Sequence, residues 1–183
     1  MIYRITLTGT ESTGKSTLAE KLSVQYKTIY VPDYSRYYLE QLTSAYTYND
    51  VLEIARGIIA QEDKMLTDAS KILFSDNDLI NIKIWLRYYK WEVPQWLNDE
   101  IKKRKSDLYL LSDIDLPWVP DPQRVNPNDR AELFNDFSKE LNLIEANFKF
   151  VSGALTERTE IAIAHIDTFL QRELVKTKSV LFT

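Results

Sequence analysis

The chain has 183 residues, of which 44% are hydrophobic and 27% charged, and this length and composition fit one soluble globular domain. Its formal net charge of −4 excludes a broad basic surface for a nucleic acid backbone, and no apolar stretch is long and uncharged enough to span a membrane. The absence of cysteine excludes disulfides and thiolate metal sites, fits a reducing compartment and leads us to expect a cytoplasmic protein.

The first predicted strand covers residues 2–7, so early in the chain that we expect no signal peptide before it. A Gly-x-x-x-x-Gly-Lys-Ser motif follows, and a helical pattern begins directly after it. Strand, loop and helix in this order are typical of the phosphate-binding loop, whose glycines let backbone N–H groups converge on phosphate oxygens. The residues expected to bind ATP are Gly9, Thr10, Glu11, Ser12, Thr13, Gly14, Lys15, Ser16 and Thr17.

Two side chains of this loop have specific expected roles. Lys15 would contact the β- and γ-phosphates, and the Ser16 hydroxyl would bind Mg²⁺. A chance match would arise in roughly half a percent of chains this long at an average glycine usage of about 7%. Because two of the 4 glycines in this chain lie in the motif, accident is rarer still. The motif therefore predicts nucleotide binding rather than a simple glycine turn.

The second predicted strand covers residues 28–32 and is followed by Asp33 at the start of a short helix over 33–42. At the carboxyl edge of the sheet, Asp33 could take a proton from an attacking hydroxyl as general base, or bind a sugar diol. It could equally cap the helix, for which Asp is a favoured residue. Residue chemistry leaves these roles open. A longer helix comes next, with Asn49 and Asp50 as its expected N-cap pair.

The third predicted strand covers residues 71–76 and ends in Asp76-Asn77-Asp78. A carboxylate at this place is the natural partner of Ser16 for holding Mg²⁺, and we assign that role to Asp76. Asp78 could instead meet the acceptor substrate. The alternative for both is a surface turn, since Asp and Asn favour turns.

Two further strands are predicted at 108–111 and 148–151, and helical segments at about 79–90, 94–105, 129–146 and 156–174. Short strands alternating with helices predict a three-layer α/β/α fold, a P-loop NTPase with a mostly parallel five-stranded sheet. Ligands of such sheets bind at the carboxyl ends of the strands, where the polar clusters above lie. We expect one P-loop kinase-like domain over residues 1–183.

A polar segment at about 120–132 is predicted to form a small helical lid. Kinases of small molecules close a lid that excludes water and brings arginines onto the transferring phosphoryl group. Arg124 and Arg130 are the arginines in this segment. The alternative is a solvated loop.

Aromatic residues are dense, with 4 Trp, 11 Tyr and 7 Phe. Trp85, Tyr88, Tyr89 and Trp91 cluster after the third strand, and Trp118 precedes the lid. Most of them must pack in the core, but we expect one or two to stack on a planar substrate ring. A cationic ring would gain a cation–π interaction.

These segments, in this order, resemble the ribosylnicotinamide kinase domain of bacterial NAD-salvage proteins, a family of AAA-type P-loop ATPases and kinases related to deoxynucleoside kinases. The likeness lies in residues 9–18, in Asp33-Tyr34-Ser35-Arg36, in Asp76-Asn77-Asp78 followed by Trp85, and in a Pro-Trp-Val-x-Asp segment before two spaced arginines. It spans about residues 3–170. The chain has Asp33 where the family usually has Glu, and Pro122 where its lid usually has Gly.

The resemblance implies roles residue by residue. Lys15, Asp33, Arg124 and Arg130 would be catalytic, with Asp33 contacting the ribose or activating its 5′-hydroxyl. Ser16 and Asp76 would hold Mg²⁺. The implied substrate-binding residues are Asp33, Tyr34, Arg36, Asp78, Trp85, Trp118 and Asp121.

The expected function is therefore ATP- and Mg²⁺-dependent phosphorylation of the 5′-hydroxyl of nicotinamide riboside, giving nicotinamide mononucleotide. The partner would be this small nucleoside, with no nucleic acid or membrane, and the oligomeric state is left open. Alternatives are a kinase for another nucleoside or small hydroxyl compound, and a nucleotide sensor without catalysis. An acidic pocket beside aromatics would favour the cationic pyridinium ring, whereas amides such as Gln61 would suit a neutral base.

Overall fold

The computed structural model describes residues 2–121, 123 and 128–181. Within them the chain forms a five-stranded sheet in which all strands are parallel, in the order β2-β3-β1-β4-β5. The strands are β1 Tyr3–Thr8, β2 Tyr30–Val31, β3 Ile72–Asp76, β4 Leu108–Ser112 and β5 Phe148–Val151. The predicted strands are thus confirmed, and the parallel order follows from a helix between each strand and the next.

The helices are α1 Lys15–Gln25, α2 Tyr34–Glu40, α3 Tyr48–Leu66, α4 Leu79–Tyr88, α5 Gln95–Lys103, α6 Arg130–Leu143 and α7 Leu155–Leu181. All correspond to predicted segments. The largest differences in length are at α1, which begins two residues before the predicted start at Thr17, and at α7, which extends well beyond residue 174. The described helices include none long and apolar enough to cross a membrane.

The start of α3 differs from the expected cap. Its N-cap is Thr47 rather than Asn49, and Asp50 occupies the third helical position. The Thr47 side chain accepts from the Asp50 N–H, while the Asp50 carboxylate accepts from the Thr47 N–H at 2.7 Å. This reciprocal capping box satisfies two backbone donors at once, which an N-cap at Asn49 could not do.

Helices cover both faces of the sheet, as alternation along β4 shows. Leu108 and Leu110 point into one apolar cluster with α1 and α7, whereas Tyr109 and Leu111 point into another with α3, α4, α5 and α6. All four side chains are at most 2% exposed. Burial of each large apolar side chain stabilises the fold by roughly 1.5–3 kcal/mol. The predicted three-layer α/β/α architecture is confirmed.

The strand order brings the ends of β1, β2 and β3 together at one edge. β1 lies between β3 and β4, and Leu7 of β1 is in register with Asp76 of β3. One step farther along, the Asn77 N–H donates to the Leu7 carbonyl at 3.0 Å. β2 pairs with β3 through Val31 and Ser75. The segments that follow these three strands therefore share one edge of the sheet.

Candidate functional site

The phosphate-binding loop connects β1 to α1 and has three residues in the left-handed region. Gly9, Ser12 and Gly14 have φ of +125°, +58° and +77°. A Cβ on Gly9 would lie 3.1 Å from the Ser112 carbonyl oxygen, so this glycine also permits a close approach to β4. Gly14 is the N-cap of α1 and provides no side-chain cap. The first N–H groups of α1 thus have no side-chain acceptor at the cap position and point toward the loop.

The Lys15 ammonium lies over this loop. Its Nζ donates to the carbonyl oxygens of Gly9 at 2.9 Å and Thr10 at 2.7 Å. Thr13 supports the same turn, since its hydroxyl donates to the Thr10 carbonyl at 2.8 Å. A cation held in this position adds to the positive end of α1 and makes the loop a site for anionic phosphate.

Ser16 and Asp76, predicted to act together, lie beside each other. The Ser16 hydroxyl is close enough to the Asp76 carboxylate, which is only 5% exposed, to affect its pKa. Burial raises the pKa of Asp76 above its usual range, while the charge of Lys15 and the Ser16 hydroxyl act in the opposite direction. The pair lies where β3 ends beside the phosphate-binding loop.

These two oxygen donors fit magnesium. In the part of the chain that the structure describes, no group of three or more His, Cys, Asp or Glu side chains forms a metal cage. Mg²⁺ does not need one, because it keeps several waters and is bound by one or two protein oxygens together with substrate phosphates. Ser16 and Asp76 are the residues that would hold it.

Asp33 lies at the end of β2 and caps α2. Its Oδ1 accepts from the N–H and the hydroxyl of Ser35, at 3.0 Å and 2.6 Å. Its Oδ2 accepts from Asn77 Nδ2 at 3.4 Å, and the residue also lines a large cavity at this edge of the sheet. The cap role left open by the sequence is therefore observed, and the same carboxylate reaches the cavity.

A cavity of about 690 Å³ opens between the loop and the helices at this edge. Its volume lies within the range of about 300–1,000 Å³ typical of small-molecule sites. The whole loop from Gly9 to Thr17 lines it, together with Asp33, Arg36 and Asp76. Among the described residues, the acidic lining residues are Glu11, Asp33, Glu40, Asp76 and Asp121, and the basic ones are Lys15 and Arg36.

The other side of the cavity is an aromatic wall formed by Tyr46, Trp85, Tyr88 and Tyr89. Tyr46 meets Trp85 edge to face, with ring centroids 5.0 Å apart, and accepts a hydrogen bond from the indole N–H at 3.3 Å. Its own hydroxyl donates to that of Tyr89 at 2.8 Å. The pKa of the Tyr46 hydroxyl is raised, chiefly by burial, and the negative charge of Glu11 raises it further.

Sequence reasoning identified Trp85, Tyr88 and Tyr89 but missed Tyr46. Tyr46 lies between α2 and α3, far from the others in the chain, and carries no motif of its own. Only the packing of that connection against α4 brings it to the cavity.

Arg36 and Asp121 were predicted separately and are bound to each other. Both terminal nitrogens of Arg36 donate to Asp121 Oδ2, at 3.2 Å and 3.1 Å, and both residues line the cavity. The side-chain amide of Gln123 donates to the Arg36 carbonyl at 3.3 Å. The segment before α6 is therefore attached to α2 across the cavity.

Arg130 lies against the phosphate-binding loop. Its guanidinium donates to the carbonyls of Leu116 at 3.0 Å and Ser12 at 3.2 Å, and its central carbon is 5.9 Å from the Trp118 ring centroid. Neither Arg130 nor Trp118 is among the described residues that line the large cavity. Arg124 lies outside the described residues, so its role stays a prediction.

Tyr34, Asp78 and Gln61 lie away from the large cavity and line a second one of about 30 Å³. Asp78 caps α4 by accepting from the N–H groups of Ile80 and Asn81, at 3.1 Å and 3.4 Å, and burial raises its pKa to about 7. The substrate-binding roles of Tyr34 and Asp78 stay predictions.

Tyr34 packs on α3 at Gly57. A Cβ added there would lie 1.9 Å from a Tyr34 ring carbon, so only glycine fits beneath this ring. The Gln61 carboxamide oxygen is buried and has no hydrogen-bond partner among the described residues. Gln61 is outside the described lining of the large cavity, whereas the amides of Asn77, Asn81 and Gln123 line it.

A family model described as an AAA domain matches residues 4–158. Among curated proteins, the chain is 29% identical over 156 residues to the trifunctional NAD biosynthesis/regulator protein NadR of Escherichia coli (strain K12). This match covers 82% of the chain but 38% of the relative, so the chain spans well under half of that protein.

Solved structures show the same fold. The NadR protein in complex with NR has a TM-score of 0.71 at 18% identity, covering 92% of this chain and 49% of that one. The NadR protein in complex with NAD and AMP-PNP gives 0.70 with the same identity and coverage. Thymidylate kinase from Ehrlichia chaffeensis gives 0.58 at 15% identity, with 91% of this chain and 97% of that chain covered.

Proposed function

The chain belongs to the AAA-domain family, and we propose that it is an ATP- and Mg²⁺-dependent kinase that phosphorylates the 5′-hydroxyl of nicotinamide riboside. The product is nicotinamide mononucleotide. The observation that carries the proposal is one cavity lined on one side by the phosphate-binding loop with Lys15 and Asp76, and on the other by acidic and aromatic side chains.

On the donor side, the loop and the first turn of α1 bind the phosphates of ATP. The Lys15 ammonium exchanges its present carbonyl partners for phosphate oxygens, and its charge stabilises the negative charge that spreads over the transferring phosphoryl group. Ser16 and Asp76 would hold Mg²⁺, which would supply positive charge to the phosphates. Likeness to NadR in complex with AMP-PNP, an ATP analogue, supports this donor.

Asp33 serves the acceptor hydroxyl. It lies at the end of β2, at the same edge of the sheet as the phosphate-binding loop. Its Oδ2 accepts one long hydrogen bond, of 3.4 Å, from Asn77. Oδ1 remains occupied by Ser35, which holds the carboxyl group in place. Asp33 thus orients the 5′-hydroxyl and takes its proton while the oxygen attacks the γ-phosphorus. The bond from the γ-phosphorus to the bridging oxygen breaks, and ADP leaves.

The acceptor is assigned from the charge and shape of the lining. Among the described lining residues, five are acidic and two are basic, and this excess of negative charge favours a cationic ring over a neutral one. Tyr46, Trp85, Tyr88 and Tyr89 add aromatic surface, and a cation over such a ring gains about 0.5–2 kcal/mol. NadR in complex with NR supports the same acceptor.

Release of ADP from ATP and Mg²⁺, measured with nicotinamide riboside and with a panel of neutral nucleosides, tests the proposal. We expect turnover with nicotinamide riboside to exceed that with every neutral nucleoside. Preference for a neutral nucleoside would make the chain a kinase of that compound. ATP binding without turnover on any acceptor would instead show a nucleotide sensor.

A further inference from the structure

The face of α4 that lines the cavity carries one amide as well as the aromatic wall. Asn81, Trp85 and Tyr88 are spaced by four and three positions, so they fall on one side of a helix with 3.6 residues per turn. All three line the cavity. Asn81 is in the first turn, near Asp76 and Asn77 at the end of β3, and Trp85 follows one turn farther along.

The side-chain amide of Asn81 is available to a ligand. Its backbone N–H donates to Asp78, but the side chain forms no hydrogen bond within the described part of the chain. The other amides that line the cavity there are engaged, since Asn77 donates to Asp33 and Gln123 to the Arg36 carbonyl. An asparagine amide has two donors and an acceptor oxygen, so it can pair with another amide through both.

The spacing on α4 suits a ring with a short polar substituent. One helical turn separates Asn81 from Trp85 by about 6 Å along the axis. A substituent extends outward from the edge of a ring that lies against Trp85. A hydrogen bond from that substituent spans about a further 2.9 Å. A substituent on the side of the ring toward Asp76 therefore comes within reach of the Asn81 amide.

We propose that Asn81 is a specificity-determining residue that pairs with the carboxamide of an acceptor ring lying against Trp85. Its Nδ2 donates to the carboxamide oxygen and its Oδ1 accepts from the carboxamide NH₂. This inference rests on the proposed function and deepens it, because it assigns selection of the ring substituent to one side chain. Charge and stacking select a cationic ring, and Asn81 selects the amide on it.

The test compares nicotinamide riboside with pyridine riboside, which has the same cationic ring without the carboxamide. We would measure kcat/KM for both acceptors, at saturating ATP and Mg²⁺, in the parent chain and in Asn81→Ala and Asn81→Leu. Asn49→Ala is the matched control, since Asn49 is also an asparagine in the first turn of a helix but is exposed and outside the described lining of the cavity. Urea unfolding and the Kd for ATP show whether each variant is folded.

We expect the parent chain to prefer nicotinamide riboside about tenfold, as one well-placed neutral hydrogen bond or two weaker ones allow. Both Asn81 variants should lose about tenfold in kcat/KM for nicotinamide riboside, keep pyridine riboside within about twofold, and so lose the preference. Equal losses on both acceptors, or an unchanged preference, would overturn the role of Asn81 alone. No turnover of nicotinamide riboside by the parent chain would overturn the proposed function itself.

Discussion

The two sides of the cavity are built differently. The donor side is mostly one continuous stretch, residues 9–17, joined by Asp76 from the end of β3. The acceptor side is gathered from separate segments: the connection that carries Tyr46, the end of β2, α4 and the segment around Asp121. Contacts through the backbone are insensitive to most substitutions, so we expect binding of the phosphate donor to tolerate them. Each proposed acceptor contact depends instead on an individual side chain.

Substitution of Lys15 should show the largest effect and should be independent of the acceptor. Lys15→Ala removes the cation over the loop, and we expect kcat to fall by roughly 10²–10³-fold, as for loss of one transition-state donor. Steady-state ADP release measures this. Lys21→Ala, also on α1 but exposed, is the control and should change kcat less than about twofold. Losses that differ greatly between acceptors would contradict the separation of the two sides.

Asp33→Asn tests the point where the two sides meet. Asparagine is as good an N-cap as aspartate, so α2 should stay intact, but it cannot take a proton. We expect kcat to fall by about 10²-fold or more, with the Kd for ATP within about twofold of the parent value. Asp68→Asn, at an exposed position after α3, is the control. Equal losses in kcat and ATP affinity would show that Asp33 acts only as the cap of α2.

The two sides of the cavity also differ in how well the sequence predicts them. The donor side was predictable because a local motif fixes backbone geometry, and the proximity of Ser16 and Asp76 follows from parallel strands ending at one edge. Tyr46 was not predictable, because its position depends on how the connection before α3 packs. Nor was the Arg36–Asp121 pair, whose partners are 85 positions apart, because no spacing rule links them.

Tyr34 and Asp78 line the small cavity rather than the large one for a similar reason, and their substrate contacts stay predictions. Tyr34 and Asp78 follow the right strands, yet the helix starts turn them away from the large cavity toward the small one. Asp78 is used as a cap, and the Tyr34 ring is placed over Gly57. The place of a residue directly after a strand determines the edge of the sheet at which it lies. The local helix geometry determines which cavity its side chain lines.

Trp85→Leu tests whether the aromatic wall on the acceptor side binds the acceptor and not ATP. Loss of the indole removes the ring surface for a cationic acceptor, and we expect KM for nicotinamide riboside to rise about tenfold, equivalent to about 1.4 kcal/mol. KM for ATP should stay within about twofold. Trp96→Leu is the control, since Trp96 lies on α5 beside Arg56 and outside the described lining of the cavity. A matching rise in KM for ATP would show that the wall serves both ligands.

The smallest effect on activity is expected at Arg104, which belongs to neither side. Its guanidinium binds the Asp63 carboxylate through two nitrogens, at 2.6 Å and 2.7 Å, and Glu100 at 2.7 Å. The hydrogen bond from Arg104 is the main reason that the pKa values of Asp63 and Glu100 lie below their usual range. Arg104→Met should leave kcat and both KM values within about twofold and lower the free energy of unfolding at pH 7 by about 1–2 kcal/mol.

The pH dependence of this variant gives the sharpest check, because depressed carboxyl pKa values stabilise the folded state only while the carboxyls are ionised. Their contribution is present above the unfolded pKa of about 4 and is lost as the pH falls through the lower folded values. In urea unfolding, the difference between the parent and Arg104→Met should therefore be full at pH 7 and shrink below about pH 4. Arg56→Met, which removes an exposed pair with Glu53, should show almost no difference at either pH. A difference for Arg104→Met that persists unchanged at low pH would mean that Arg104 stabilises the fold by packing rather than by charge.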